Sequence, residues 1–504
     1  MVSAATSRTF TWTDANPVGE ALSLSCLREV PDGKGGFRQD VGPFVSYRRF
    51  STTGPDGRPH QEVRASLVAP GLAWLFGIVF HRILFHPESK LTKLIPPAPI
   101  SSESLEVIAR IFWLSSAVAF AGTILGQTLA YTAPTIHAGP VAQSGILAGA
   151  RIDVLFAIPL ARAADRISRV KVLTAALVEA LIASALCSLA TSVWMLAVGQ
   201  VLTKIGATTA LLVLTVIIAE TVESSARAWS LGFLVIAAAV GTGTCAVMVA
   251  FLGLSPLAWR FVYLASLLAL PLYFVARKIP EPPRFTATTE RIPMRALTTK
   301  RHRFRLLLVC TATLMVNIFF IPESQFRNQF LRFDRHFASW EISLFTIGTY
   351  IPAVIGLAIG ARVAETKGRK GVASIGLILG ALFYSMSFLS GGIFLVVLAI
   401  FGGIAGTAAT PALSVFGPEL FPTRLRSTAN SISTFTSRVG SVVGVLVVGY
   451  LASRGWGYGE PIALLGIFPI ILAFIVWRYF PETRARSLED INPEDDPAGF
   501  TAPL

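Results

Sequence analysis

Six charged side chains stand inside long apolar runs: Arg151, Asp153, Glu179, Lys204, Glu323 and Arg438. Charge is costly in an apolar medium and is kept where it meets a cavity or a partner. Arg438 lies in Thr436-Ser437-Arg438-Val439-Gly440-Ser441, where small and hydroxyl neighbours leave room around a guanidinium. Its planar fork suits the paired oxygens of a carboxylate or phosphate. The competing reading pairs it with an acid across the molecule. Asp153, Glu179 and Glu323 are the acids placed to exchange protons, since a carboxyl that alternates between solvated and paired surroundings changes its proton affinity. Arg151, Gln127, Tyr131 and Asn317 complete the candidate solute contacts, although amides and hydroxyls equally bond between helices. Arg151 and Asp153 are two apart, about 200° around an α-helix, which forbids both from facing one cavity. Arg151 or Lys204 can instead neutralise Asp153 or Glu179.

A second kind of charge repeats. The stretch Ala161 to Arg169, with Arg162, Asp165 and Arg169, returns 200 residues later as Ala361 to Arg369, with Arg362, Glu365 and Arg369. Glu220 and Arg227 are echoed by Glu419 and Arg426, and Arg277-Lys278-Ile279-Pro280-Glu281 by Arg478-Tyr479-Phe480-Pro481-Glu482. Landmarks in constant register mark an internal duplication. Asp165 and Glu365 sit where helix N-termini stabilise an anion. Arg169 and Arg369 are placed to pair with the helix ends at Glu220 and Glu419.

These residues need helices to hold them. Hydrophobic residues make up 53% of the 504-residue chain and charged ones only 14%, which suits a protein that crosses a bilayer many times. Twelve spans are expected near 107–133, 143–161, 171–190, 193–220, 228–253, 258–276, 305–323, 341–361, 371–390, 392–416, 429–452 and 461–479. The domains that follow are an extension over 1–100, a six-helix half over 107–276, a basic central loop over 277–304, a second half over 305–480 and a tail over 481–504. Arg and Lys gather in the connectors after spans two, six and eight, so a net charge of +14 reflects orientation in a cell membrane, with both termini cytoplasmic, rather than nucleic-acid binding. Four scattered cysteines imply neither a disulfide framework nor a zinc site.

The first hundred residues read differently. Phe44 to Thr53 and Gln61 to Val68 alternate around Gly54-Pro55-Asp56-Gly57, which predicts a hairpin. Leu72 to Phe85 predicts an apolar helix that is short for a span and lies at the interface or covers the hairpin. Pro96-Pro97-Ala98-Pro99 predicts a linker. Beyond span seven, Phe326, Phe330, Phe333 and Phe337 form a helical stripe expected to pack on span eight.

The fold class expected is an all-α membrane protein with a small α+β extension. Two six-span halves joined by a basic loop resemble the major facilitator superfamily. Asp165-Arg166-Ile167-Ser168-Arg169 is similar to its connector between helices two and three. Glu419-Leu420-Phe421-Pro422-Thr423-Arg424-Leu425-Arg426, Pro280 to Phe285 and Pro481 to Glu489 resemble signatures of its sugar-porter-like branch. The resemblance implies a secondary transporter of a small organic solute, working as a monomer without a cofactor, in which Asp165, Arg169, Glu220, Arg227, Glu365, Arg369, Glu419 and Arg426 form a cytoplasmic gate. Span one lacks the acid usual in proton-coupled sugar porters, so proton coupling falls to Asp153, Glu179 or Glu323. An organic anion is the leading solute, a sugar or polyol the alternative, and a non-transporting sensor the alternative of another class. No Gly-x-x-x-x-Gly-Lys-Ser/Thr loop for ATP, nucleophile–base pair or metal cluster is legible.

Overall fold

The computed structural model describes residues 7–14, 18, 20–53, 58–86, 99–164, 166–223, 226–281, 300–421 and 423–484. The turn at 54–57, most of the linker and central loop, and the tail beyond 484 lie outside them.

The N-terminal region is larger than a hairpin. Strands β1 (Arg8–Asp14), β2 (Ser23–Leu24), β3 (Leu27–Pro31), β4 (Gly36–Val41), β5 (Ser46–Thr53) and β6 (Pro59–Leu67) form one antiparallel sheet in the order β1-β6-β5-β4-β3-β2. The expected hairpin is β5–β6, which pairs from Ser46↔Ser66 to Thr53↔Pro59. Strands β1 to β4 escaped notice because they are short and carry charges on one face. A buried polar network fastens the far side of the sheet. Arg49 Nε donates to Glu29 Oε1 at 2.9 Å and Tyr47 Oη donates to the same oxygen at 2.5 Å. Helix α1 (Ala73–Phe85) covers the sheet, with Phe80 5.0 Å from Phe44 between ring centroids. Its 13 residues make about 20 Å of helix, too short to cross a bilayer.

Among the described residues, twelve helices are long and apolar enough to span: Ser102–Thr135, Pro140–Ala164, Arg169–Leu189, Val193–Thr221, Trp229–Val249, Ala258–Ala276, His302–Asp334, Ser339–Lys367, Arg369–Leu389, Gly392–Gly417, Thr428–Trp456 and Gly459–Tyr479. They are spans 1 to 12 below. Hydroxyl side chains cap several starts, as where Ser101 Oγ accepts from the Ser104 amide at 3.2 Å, meeting backbone donors that a helix leaves unpaired. Each half is built on the same close crossings. Gly241 of span 5 sits on the Ser116 backbone of span 1, and Gly440 and Gly444 of span 11 sit on Leu314 and Ile318 of span 7. Lipid offers no hydrophobic drive between helices, so small residues that bring backbones together do that work.

The extension is docked on the first half. Phe76 of α1 stacks on Phe233 of span 5 at 5.7 Å, and Trp113 Nε1 of span 1 donates to the Pro70 carbonyl at 2.9 Å. Gly71, at φ +71°, occupies the bend where a Cβ would collide with the Trp113 ring.

Two expectations need correction. The Phe stripe belongs to span 7 itself, which runs to Asp334. Phe330 packs on Phe388 of span 9 at 4.8 Å and Phe326 on Tyr458, at the start of span 12, at 5.5 Å, so its partners are spans 9 and 12. Span 2 is interrupted by a 3-10 turn at Ala150–Ile152. That winding places Arg151 and Asp153 about 120° apart by the shorter arc instead of about 160°, and both face the same cluster.

Candidate solute site and its gates

Near the middle of the bundle, spans 2, 4 and 11 converge on one acid. Asp153 is 1% exposed. Its Oδ2 accepts from Thr208 Oγ1 of span 4 at 2.6 Å and from Arg438 Nη2 of span 11 at 3.4 Å. Its Oδ1 is buried without a hydrogen-bond partner. Arg151 and Lys204 lie within electrostatic range of both Asp153 and Arg438. Three basic side chains therefore surround a single carboxylate. Arg438 bridges the halves, as the competing sequence reading required, yet its bond is long and its side chain stays 25% exposed. A saturated structural pair would leave less positive charge uncompensated.

A second buried cluster lies between this one and the end of the bundle opposite the twin connectors. Arg327 Nε donates to Glu323 Oε1 at 2.9 Å, and the guanidinium faces the rings of Tyr350 and Tyr384 at 6.0 and 5.7 Å. This pair is balanced: one acid, one base, both on span 7. Beside it Asn328 Nδ2 donates to the Gln127 carbonyl at 2.8 Å and to Gln127 Oε1 at 3.0 Å, tying span 7 to span 1. Arg332 lies over the Tyr131 ring at 3.9 Å. Ser343 Oγ donates to the Ala246 carbonyl at 2.8 Å, and Tyr458 Oη to Gln143 Oε1 at 3.2 Å. These bonds all cross between the halves on the side of the cluster away from the connectors. On the connector side, a cavity of about 270 Å³ separates Ala161, Arg162, Leu212, Thr215 and Val216 of the first half from Ser431 of the second.

The twin connectors form matching clusters, each within its own half. Arg169 pairs with Glu220. Arg369 Nη1 meets both Glu419 oxygens at 2.5 Å, and its Nη2 reaches Glu365 at 3.0 Å. Each cluster includes an acid from beyond the sixth helix of its half. Glu281 accepts from Ser168 Oγ and from the Val170 amide, and Glu482 from the amides of Arg369 and Lys370. Both acids seat on a helix N-terminus, where free amides and the helix dipole favour an anion. Burial alone would raise the Glu482 carboxyl, but the amides of Arg369, Arg484, Lys370 and Thr483 outweigh it and hold it below the usual range. Arg227 lines a pocket with Glu220, Glu223 and Glu281. Asp165 and the Arg426 side chain lie outside the described residues.

Of the remaining candidates, Asn317 donates to the Thr313 carbonyl of its own helix at 2.7 Å. Glu179, half-buried on span 3, takes no part in the central cluster and does not neutralise Lys204. Thr208, Arg327, Tyr350, Tyr384 and Asn328 were missed by sequence reasoning. Arg327 had a signal, its spacing of four from Glu323, hidden by ending span seven at 323. The others are uncharged or, like Asn328, fell beyond that boundary.

Two pseudo-equivalent helical halves meeting at a buried polar site define a secondary transporter. Residues 107–330 and 306–503 match the family described as Major Facilitator Superfamily, and the chain belongs to it. A gallate transporter of Pseudomonas putida is 27% identical over 371 residues, 65% of this chain and 80% of that one. A glucose transporter of Staphylococcus epidermidis is 35% identical over 123 residues, a match that reaches only 26% of its length. Among solved structures, a bacterial homolog of the human lysosomal transporter Spinster, inward-facing and unoccupied, superposes with a TM-score of 0.63 at 16% identity, covering 78% of this chain and 98% of that one. The protein is a multi-pass membrane transporter of a small solute, not an enzyme.

Proposed function

We propose that the solute is a small organic anion, moved by alternating access and coupled to protons. The observation that carries this reading is the uncompensated positive charge at mid-membrane: the guanidiniums of Arg151 and Arg438, with the amine of Lys204 beside them, against Asp153 alone. A neutral sugar has no use for that charge, whereas an anion supplies what the cluster lacks. The similarity to a gallate transporter makes an aromatic carboxylate the first solute to test.

In this reading the twin connectors, both termini and the central loop face the cytoplasm, because Arg and Lys concentrate in those connectors, and the protein works as a monomer in the cell membrane. The bonds across the halves seal the outer side, and the cavity at Thr215 and Ser431 opens inward. The Arg169 and Arg369 clusters hold the inner helix ends of each half together, and in the outward-facing state they latch the halves to each other. Solute binding shifts the balance between the two states.

Counterflow in proteoliposomes tests the solute class. Vesicles loaded with unlabelled gallate, succinate, phosphate or xylose are diluted into the labelled compound. Exchange is expected for one or more of the anions and not for xylose. Exchange of xylose alone would overturn the anion assignment.

A further inference from the structure

The sequence directed attention to acids as proton carriers, but the central cluster contains a better one. Lys204 sits on span 4, one helical turn before Thr208. It faces Arg151 and Asp153 from span 2 and Arg438 from span 11. Spans 1, 3 and 5 also pack on span 4 and, among the described residues, bring no charged group that interacts with Lys204. Lys204 makes no hydrogen bond or ion pair among the described residues; the one nearby carboxylate is engaged by Arg438 and Thr208 through Oδ2. Lys204 is half-buried; arginine keeps its charge at any working pH, whereas a lysine held beside other cations and partly away from water gives its proton up more readily. Of three cations crowded around one acid, Lys204 alone can relieve the excess.

We propose that Lys204 is the proton carrier of this site, standing as a neutral amine when the site is empty and taking up one proton together with the bound anion. The inference rests on the anion reading. The balance is simple: the amine lone pair accepts a proton from water to give an ammonium, and the incoming carboxylate supplies the opposite charge that makes the ammonium stable there. Release of the anion removes that partner, and repulsion from Arg151 and Arg438 expels the proton on the same side. One proton then travels with each monocarboxylate, and the pair carries no net charge. The proton is not assigned to Asp153, whose Oδ2 accepts from Thr208 and Arg438.

The test measures protons taken up when an anion binds to the full-length protein in detergent, in weakly buffered solution with a pH indicator. Gallate and succinate are the probes, with carboxyls ionised at about pH 7.5. Wild type is expected to take up a proton, with a yield that grows toward alkaline pH. Lys204→Arg, whose charge is permanent, should bind the probe with at least about tenfold less uptake, and Lys204→Met offers a second non-titrating variant should the larger side chain not fit. Asp153→Asn should still take up a proton. Binding without uptake in wild type, uptake confined to acid pH, or full uptake in folded Lys204→Arg and Lys204→Met would overturn the proposal and leave the anion reading standing. Failure of wild type to bind either probe, together with counterflow of xylose alone, would remove both.

Discussion

Two of the charged clusters within the membrane-spanning bundle differ in arithmetic. On span 7, Glu323 and Arg327 are matched one to one and flanked by tyrosine rings. Where spans 2, 4 and 11 meet, three basic side chains share one carboxylate, one of whose oxygens has no hydrogen-bond partner among the described residues. A balanced pair holds its desolvated charges without outside help. An unbalanced cluster is incomplete until a ligand arrives. Buried charges can therefore serve structure in one place and recognition in another, and the sum of charge separates the two uses. Location agrees with this division. The balanced pair lies beside the bonds that join span 7 to span 1, while the unbalanced one lies where both halves contribute side chains.

Breaking the balanced pair should have the largest effect on folding. Glu323→Gln leaves Arg327 buried and unmatched, at a cost of about 3–5 kcal/mol, read as a fall in the unfolding temperature of the detergent-solubilised protein with or without solute. Adding Arg327→Met should recover much of the loss. If Glu323→Gln unfolds like wild type, the contrast between the clusters disappears.

Arg438→Ala tests the other side. Asp153 keeps Thr208 and the field of Arg151, so stability should change little. Anion affinity should fall by roughly 10- to 100-fold, the loss expected for a charge-assisted hydrogen bond of about 1.5–3 kcal/mol. Arg438→Lys should retain part of it. A variant that loses stability without losing the response to solute would make Arg438 a structural pair and return Asp153 to the balanced class.

The connector clusters leave no positive charge over, since Arg369 meets both Glu419 and Glu365, and should behave as structural clusters too. Arg369→Ala leaves Glu419 without its two short contacts, and about 1–3 kcal/mol of stability should be lost while affinity for the anion in detergent stays near wild type. Reduced affinity with unchanged stability would contradict that grouping.

The smallest effect concerns Glu482. Its carboxyl is held below the usual range in the folded protein, so the folded state binds fewer protons than the unfolded one near that range. Its contribution is fully present above the ordinary glutamate value of about 4.3 and fades as pH falls through the folded value. The stability gap between wild type and Glu482→Gln should be below about 1 kcal/mol at neutral pH and close on acidification. A gap that widens in acid would show the sign to be wrong.

Hydrophobic periodicity and the 200-residue register were enough to specify twelve spans, their division into two halves and the pairing of Arg169 and Arg369 with Glu220 and Glu419. Each depends on local pattern or on a copy of itself, and such information is written along the chain. The sheet beyond β5–β6 was not legible, because strand partners such as β1 and β6 are set by contacts between distant residues. Nor could the sequence bring Arg438 to Asp153, 285 positions away, or decide that Lys204 has no ion-pair partner among the described residues. Local winding mattered too, since the 3-10 turn at Ala150–Ile152 turned Arg151 and Asp153 toward one cluster when regular α-helix would have parted them. Which charges exist was settled by composition. Whether they cancel was settled by helix packing, because electrostatic energy depends on distance through space and not along the chain.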